Sequence, residues 1–217
     1  MRTPMDGPMN GSLNGPSAVP AAGSSAGSAA GSAVGPTTVH TAAPPALRTA
    51  RLDLLPLRVP DAEEMAVVLS DPGLYAFIGG SPLGADELRG RYGRQVAGSP
   101  DPAVVWWNWV IRLRTEECLA GTVQATVEGP VAEVAWVVGA PWQGQGIARE
   151  AAAALVAWCG ESGGVREVVA HIHPDHAASA AVATAVGLTP TEEWQDGEVR
   201  WRLVLPPVPQ REGLSFG

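Results

Sequence analysis

Lysine is missing from this 217-residue chain, and arginine alone supplies its 14 basic residues. Asp and Glu number 22, which leaves a formal charge of −8. A chain without a basic stripe lacks the electrostatic footprint for nucleic acid as its main partner, and its acidity suits a cationic amine. Cysteine is scarce: Cys118 and Cys159 provide neither a disulfide framework nor a zinc knuckle. Glu116 and Glu117 precede Cys118, and their charge disfavours a reactive thiolate. Two bystander thiols predict a reduced, cytoplasmic protein. No apolar run approaches the length of a membrane span, and no apolar core follows the start as in a secretory leader, so no membrane partner is expected.

Large apolar side chains are scarce over residues 1–46, which are Ala, Gly, Ser, Pro and Thr for the most part. Such a segment cannot bury enough surface to offset the entropy of ordering, which predicts a disordered extension. Its charges, Arg2 and Asp6, cancel, so the −8 belongs to the rest of the chain. One domain is expected over 47–206, and Pro206, Pro207 and Pro209 mark its end before a short tail, 207–217.

From Arg51 the pattern becomes periodic. Arg51 to Leu57 alternates weakly and predicts a strand, with Pro56 suited to a sheet edge. Pro60-Asp61 opens a helix through Leu69, with Asp61, Glu63 and Glu64 where the dipole favours acids. Asp71-Pro72-Gly73 stops it; Leu74 to Ser81 reads as irregular, and Pro82 to Val96 as a helix broken near Gly90 and Gly93. Val104 to Arg114, Leu119 to Val127 and Val131 to Val138 read as three strands of an antiparallel meander. In the first, Val105, Trp107, Trp109, Ile111 and Leu113 share a face opposite Trp106, Asn108 and Arg112. A helix from Ile147, a buried strand Val165 to Ile172, a helix Ala177 to Val186 and a hairpin around Gln195-Asp196-Gly197 complete the order. The sum is an α+β domain with a mixed, mostly antiparallel sheet flanked by helices.

Val131 to Gly160 organises the rest. An apolar strand runs into Gly139-Ala140-Pro141, the turn Gln143-Gly144-Gln145-Gly146, and a helix whose Ile147, Ala151, Ala154, Leu155 and Trp158 recur at helical spacing. Free N–H groups in the first helical turn, with the helix dipole, make an anion site. Gln143 to Ala148 resembles the Q/R-x-x-G-x-G/A signature of the GNAT acetyltransferase superfamily. Arg48-Thr-Ala-Arg-Leu-Asp-Leu-Leu-Pro-Leu57, ahead of an Asp-rich helix start, resembles the ribosomal-protein acetyltransferase branch of that superfamily. The resemblance implies a GNAT-like fold over 47–206, with acetyl-CoA as acetyl donor and no metal. It places the donor's pyrophosphate at Gln143, Gly144, Gln145, Gly146, Ile147 and Ala148, and adds Ser179 and the strand residues Trp136, Val137 and Val138 to the donor site.

His171-Ile-His173-Pro-Asp175-His176 admits two readings. Its letters fit the H-x-H-x-D-H ligand pattern of metallo-β-lactamase-like hydrolases, and imidazole and carboxylate suit zinc. That pattern needs further ligands downstream; no histidine follows His176, and the one remaining histidine is His40. The segment also resembles the GNAT pattern His-Pro-Asp-Asn-x-x-Ser followed by a helix and Gly-Leu, here His173-Pro174-Asp175-His176-Ala-Ala-Ser179 and then Gly187-Leu188. His176 stands where the family has Asn, and Ala183 where some branches carry a tyrosine proposed to reprotonate the thiolate.

The implied reaction moves an acetyl group to a primary amine. With no activated nucleophile in view, direct attack in a ternary complex is expected. An amine of pKa about 10.4 must first lose a proton. Glu133, the lone charge between Val131 and Val138, is the first candidate base, and His173 and His176, which titrate near neutral pH, compete with it. His171 reads as a packed strand histidine and Asp175 as a cap for the helix after it. Trp106 and Asn108, on the more polar face of their strand, are the candidate contacts for the acceptor, a small molecule or a protein N-terminus. The alternative is a catalytically silent acyl-CoA-binding or interaction module, for which Ala183 and His176 leave room.

Overall fold

Alternation along one strand sets the layers. In β3 (Val104–Leu113), Val105, Trp107, Trp109, Ile111 and Leu113 are buried on one face, while Trp106, Asn108 and Arg112 are half-buried on the other. The computed structural model describes residues 43–162 and 164–206. The predicted N-terminal extension up to residue 42 and the tail 207–217 lie outside the described residues.

One sheet holds eight strands in the order β1-β2-β3-β4-β5-β6-β8-β7. These are β1 (Leu47–Arg48), β2 (Leu52–Pro56), β3, β4 (Leu119–Glu128), β5 (Val131–Val138), β6 (Glu167–Ile172), β7 (Thr189–Gln195) and β8 (Glu198–Val204). β3, β4 and β5 form the expected three-strand meander, which β2 and β1 extend antiparallel. β5 and β6 are parallel because a helix, α4 (Ile147–Glu161), crosses between them. β8 pairs antiparallel to both β6 and β7.

α4 packs Ile147, Ala151, Leu155, Val156 and Cys159 into the larger core. Its Trp158 meets Trp107 and Trp109 edge-on, with ring centroids 4.4 and 5.2 Å away. Burying Ile147, Leu155 and Val156 is worth about 1.5–3 kcal/mol each, so this stripe adds tertiary support to the helix-forming alanines of α4. The Trp109 indole donates to the Pro45 carbonyl at 2.8 Å, which ties down the segment before β1. On the opposite face α1 (Ala62–Val68) and α3 (Ala85–Ala97) cover Val110 and Leu119 with Ala62, Met65, Leu88 and Tyr92. A further helix, α5 (Ala177–Ala185), follows β6.

Three expectations need correction. α3 continues unbroken through Gly90 and Gly93. Each glycine costs about 1 kcal/mol in a helix interior, but Leu88 and Tyr92, one turn apart, are both buried against the sheet. The segment after Asp71 is not irregular: a 3-10 turn, Pro72–Leu74, leads into a short helix, α2 (Tyr75–Ile78). Asp71, read as part of a stop, starts that turn by accepting from the Gly73 N–H at 2.8 Å. Pro56 lies in a strand flanked on both sides, though β1 pairs only with Asp53 and Leu54 and leaves the Pro56 end uncovered.

Candidate active site

β5 and β6 pair only from Val131↔Glu167 to Glu133↔Val169. Beyond that rung they separate, and a cavity of about 620 Å³ opens there. Trp136, Val137 and Val138 of β5 form one wall. The glycine turn and the first residues of α4 form a second, and His176, Ser179 and Val182 on and before α5 a third; Leu74, Phe77 and Ile78 at α2 close over them. The strand end comes close to α1, because a Cβ on Gly139 would lie 2.7 Å from the Val68 carbonyl oxygen. Gln143 folds back and donates its side-chain N–H to the Val138 carbonyl at 3.1 Å.

In the turn, Gly144 and Gly146 have φ of 72° and 78°, the left-handed region that other residues avoid. The backbone N–H groups from Gly144 through Arg149 donate to no backbone acceptor among the described residues; the Glu150 N–H, on Gly146 at 3.0 Å, is the first that does. Here the chain leaves a row of donors free at a helix head, where the dipole adds positive potential. Gln145 departs from the rest: its side chain donates to the Pro141 carbonyl at 3.0 Å and does not line the cavity.

The turn is anchored from behind. Arg51 donates through Nη1 to the Gln145 carbonyl at 3.1 Å and through Nε to Glu150 at 2.7 Å. Glu150 also accepts from the Arg51 N–H at 2.8 Å and the Thr49 hydroxyl at 2.6 Å. Desolvation by itself would raise the Glu150 carboxyl, but these hydrogen bonds outweigh it and hold the group below its usual pKa.

Of the three candidate bases, His176 alone lines the cavity. Its ring stacks on Phe77 with centroids 4.5 Å apart, and His173 meets the same ring at 5.4 Å. Burial, and then the neighbouring His173, push the His176 pKa below its ordinary value. Glu133 lies outside the cavity. Its register partner is Thr126, itself opposite Trp106, so the three share a rung of the sheet. Its Oε1 is 3.0 Å from Nδ1 of His171, a residue that is 10% exposed against 43% for Glu133. Trp106 and Asn108 line a different groove of about 190 Å³ beside the end of α3.

Asp175 is not the expected cap: its side chain is 84% exposed, and α5 has no side-chain cap hydrogen bond at His176. Nor does the histidine-rich segment assemble a metal cage, since His171 turns to Glu133 while His173 and His176 turn to Phe77; among the described residues no three His, Cys, Asp or Glu side chains form such a group. Phe77, Trp142 and Arg149 line the cavity and were not foreseen. The aromatic and apolar character of the first two gave no signal that separates them from core residues.

The acetyltransferase (GNAT) domain family model matches residues 51–189, more than half of the chain. No curated protein matches it. Among solved structures, an acetyltransferase from Agrobacterium tumefaciens str. C58 is 25% identical with a TM-score of 0.61, over 78% of this chain and 99% of that one. RimL, a ribosomal L7/L12 alpha-N-protein acetyltransferase in complex with coenzyme A, is 18% identical with a TM-score of 0.63, over 74% and 98%. The microcin C7 self immunity acetyltransferase MccE, in complex with acetyl-CoA and AMP, is 19% identical with a TM-score of 0.59, over 72% and 94%.

Proposed function

The chain belongs to the GNAT acetyltransferase family, and from that premise we propose that it acetylates a primary amine, with acetyl-CoA as donor, by direct attack in a ternary complex. The observation that carries this reading is the row of free N–H groups from Gly144 through Arg149 beside a cavity between splayed strands. Phosphate oxygens are the ligand such a row suits. Gln143, Gly144, Gly146, Ile147 and Ala148 hold the pyrophosphate, and Trp136, Val137, Val138 and Ser179 flank the arm that carries the thioester.

When bound, the donor supplies an electrophilic thioester carbonyl. β5 has no β6 partner past Glu133, so N–H groups on that edge are free to stabilise negative charge as it develops on the carbonyl oxygen. Glu133, steadied by His171, takes the amine proton, directly or through one water; His173 and His176 are the competing bases. Ala183 is buried in the core and offers no acid, so water reprotonates the leaving sulfur. The acceptor is a small molecule or a protein N-terminus; RimL, described as acting on ribosomal L7/L12, is an example of the second class. Two free cysteines accord with a cytoplasmic setting, and no helix among the described residues is long and apolar enough to cross a membrane.

The test is calorimetry of acetyl-CoA on the protein and on Gly146→Val, set beside thiol release with a panel of amines. Binding should collapse in the variant with its circular dichroism intact, because a branched side chain is strained at positive φ. Unchanged affinity removes the donor site from this turn. Tight binding without release of thiol from any amine favours the silent acyl-CoA-binding module.

A further inference from the structure

On the sheet face opposite α4 lies a second, smaller chamber, about 30 Å³, between α3 and strands β3 and β4. Its polar lining is Arg91, Tyr92, Gln95, Asn108, Thr122 and Gln124. None of these side chains has a hydrogen bond or salt bridge to a described residue. Tyr92 is 3% exposed, and both its hydroxyl and the Gln95 side-chain oxygen are buried without partners. Burial pushes the Tyr92 pKa up, so the group remains an O–H donor.

Arg91 lies partly withdrawn from water and pushed down in pKa by that desolvation, with Tyr92, Tyr75 and Arg94 as its charged or titratable neighbours and no carboxylate among them. A guanidinium in this state is unfavourable until an anion completes it. The chamber has room for one or two waters, which matches a carboxylate head and excludes a phosphate or a ring. By register it lies near β5: Asn108 is opposite Gln124, and Gln124 opposite Ala135, past the last rung that β5 shares with β6. With neighbouring strands about 4.8 Å apart, the chamber is roughly 5–10 Å from β5.

We propose that this chamber is a subsite for the acceptor, and that it selects a primary amine bearing a carboxylate at its far end. Arg91 pairs with that carboxylate, and the Tyr92 hydroxyl donates to it. The inference rests on the amine-acetylation reading and specifies its substrate class.

The experiment compares ω-amino acids of three to seven carbons with their carboxamides as acceptors, at saturating acetyl-CoA, in the full chain, in Arg91→Gln and in Tyr92→Phe. The full chain should favour the carboxylate by about tenfold or more in kcat/KM, chiefly through KM, as expected of a charge-assisted contact. Arg91→Gln should erase that ratio and Tyr92→Phe reduce it, with acetyl-CoA affinity by calorimetry retained as the control for folding. Acetylation without carboxylate preference, or a preference that survives Arg91→Gln, overturns the subsite and leaves the acetyltransferase reading standing. Should no amine be acetylated, N-acetylated ω-amino acids and their amides are titrated instead. Tighter binding of the acids that disappears in Arg91→Gln upholds the subsite even then, and equal binding overturns it.

Discussion

Arg51 and Glu150 are 99 residues apart in sequence and 2.7 Å apart in the fold, joining the entrance of β2 to the first turn of α4. The contact fixes the glycine turn, proposed above to hold the donor's phosphates, from its far side, since the same guanidinium also holds the Gln145 carbonyl. Arg51 is 53% exposed, so the ion pair itself is worth at most about 1 kcal/mol. Arg51→Met should therefore weaken acetyl-CoA binding by about fivefold while shifting stability little. Arg51→Lys should fail to restore it, because a point charge cannot reproduce two directed contacts. Calorimetry at matched ionic strength reads both; wild-type affinity in Arg51→Met would show that the turn holds its shape unaided.

Two glycines should respond to alanine with opposite signs. At Gly139 a methyl would lie 2.7 Å from the Val68 carbonyl oxygen and 3.0 Å from the Trp142 ring. A backbone oxygen cannot rotate aside, so Gly139→Ala should cost about 1–3 kcal/mol by overpacking. At Gly93, inside α3, nothing lies within 4 Å of the added carbon, and Gly93→Ala should stabilise by about 0.5–1 kcal/mol. Urea denaturation of both variants checks the pair, and a reversal of either sign refutes that half.

Elements were legible where the signal is local. β5 and the start of α4 fall where alternation and the glycine turn put them, and Trp107 and Trp109 pack in the core as their period predicts. The helix break expected at Gly90 failed because propensity is weaker than the burial of Leu88 and Tyr92, which depends on strands distant in sequence. At the cavity wall, the Gln143 to Ala148 turn was visible as a motif, yet Arg51 behind it was not, since nothing local says that one arginine faces the turn. Likewise His171 looked like packing until the parallel pairing of β5 and β6 set it diagonally across from Glu133. Charge and hydrogen-bond partners on different strands leave no periodic trace.

His176 should titrate low. Burial and the nearby His173 depress its pKa below the ordinary 6.5, so the fold favours the neutral ring. The unfolded chain then binds this proton more tightly. The associated stability is present above pH about 6.5 and lost as acidification passes through the folded-state value. NMR titration should place the His176 midpoint below 6.5 and move it upward in His173→Ala. Urea melts should show a smaller loss of stability between pH 7 and 5 in His176→Asn than in the parent. A midpoint at or above 6.5 would mean that the ring is more hydrated than its stack on Phe77 implies.

Glu133 is the most consequential of the proposed roles. It sits on the last paired rung of β5 and β6, just before the strands part, with Oε1 3.0 Å from Nδ1 of His171. An amine approaching Ala135 would find this carboxylate two residues away along the same face, within reach of one bridging water. Glu133→Gln keeps shape and polarity but cannot take a proton at neutral pH. General-base catalysis is typically worth ~10²–10⁴-fold, so turnover should fall within that range while acetyl-CoA affinity stays near the parent's. Raising the pH toward the amine's own pKa, about 10.4 for a lysine-like acceptor, should recover part of the loss, since the amine then arrives deprotonated. His171→Ala should cause a smaller fall with the same rescue if the imidazole only steadies the carboxylate. Normal turnover in Glu133→Gln together with failure of His176→Ala or His173→Ala would transfer the role to histidine. Full activity in all of these variants would leave proton removal to solvent, with the reaction carried by positioning at the cavity and by the N–H groups along β5.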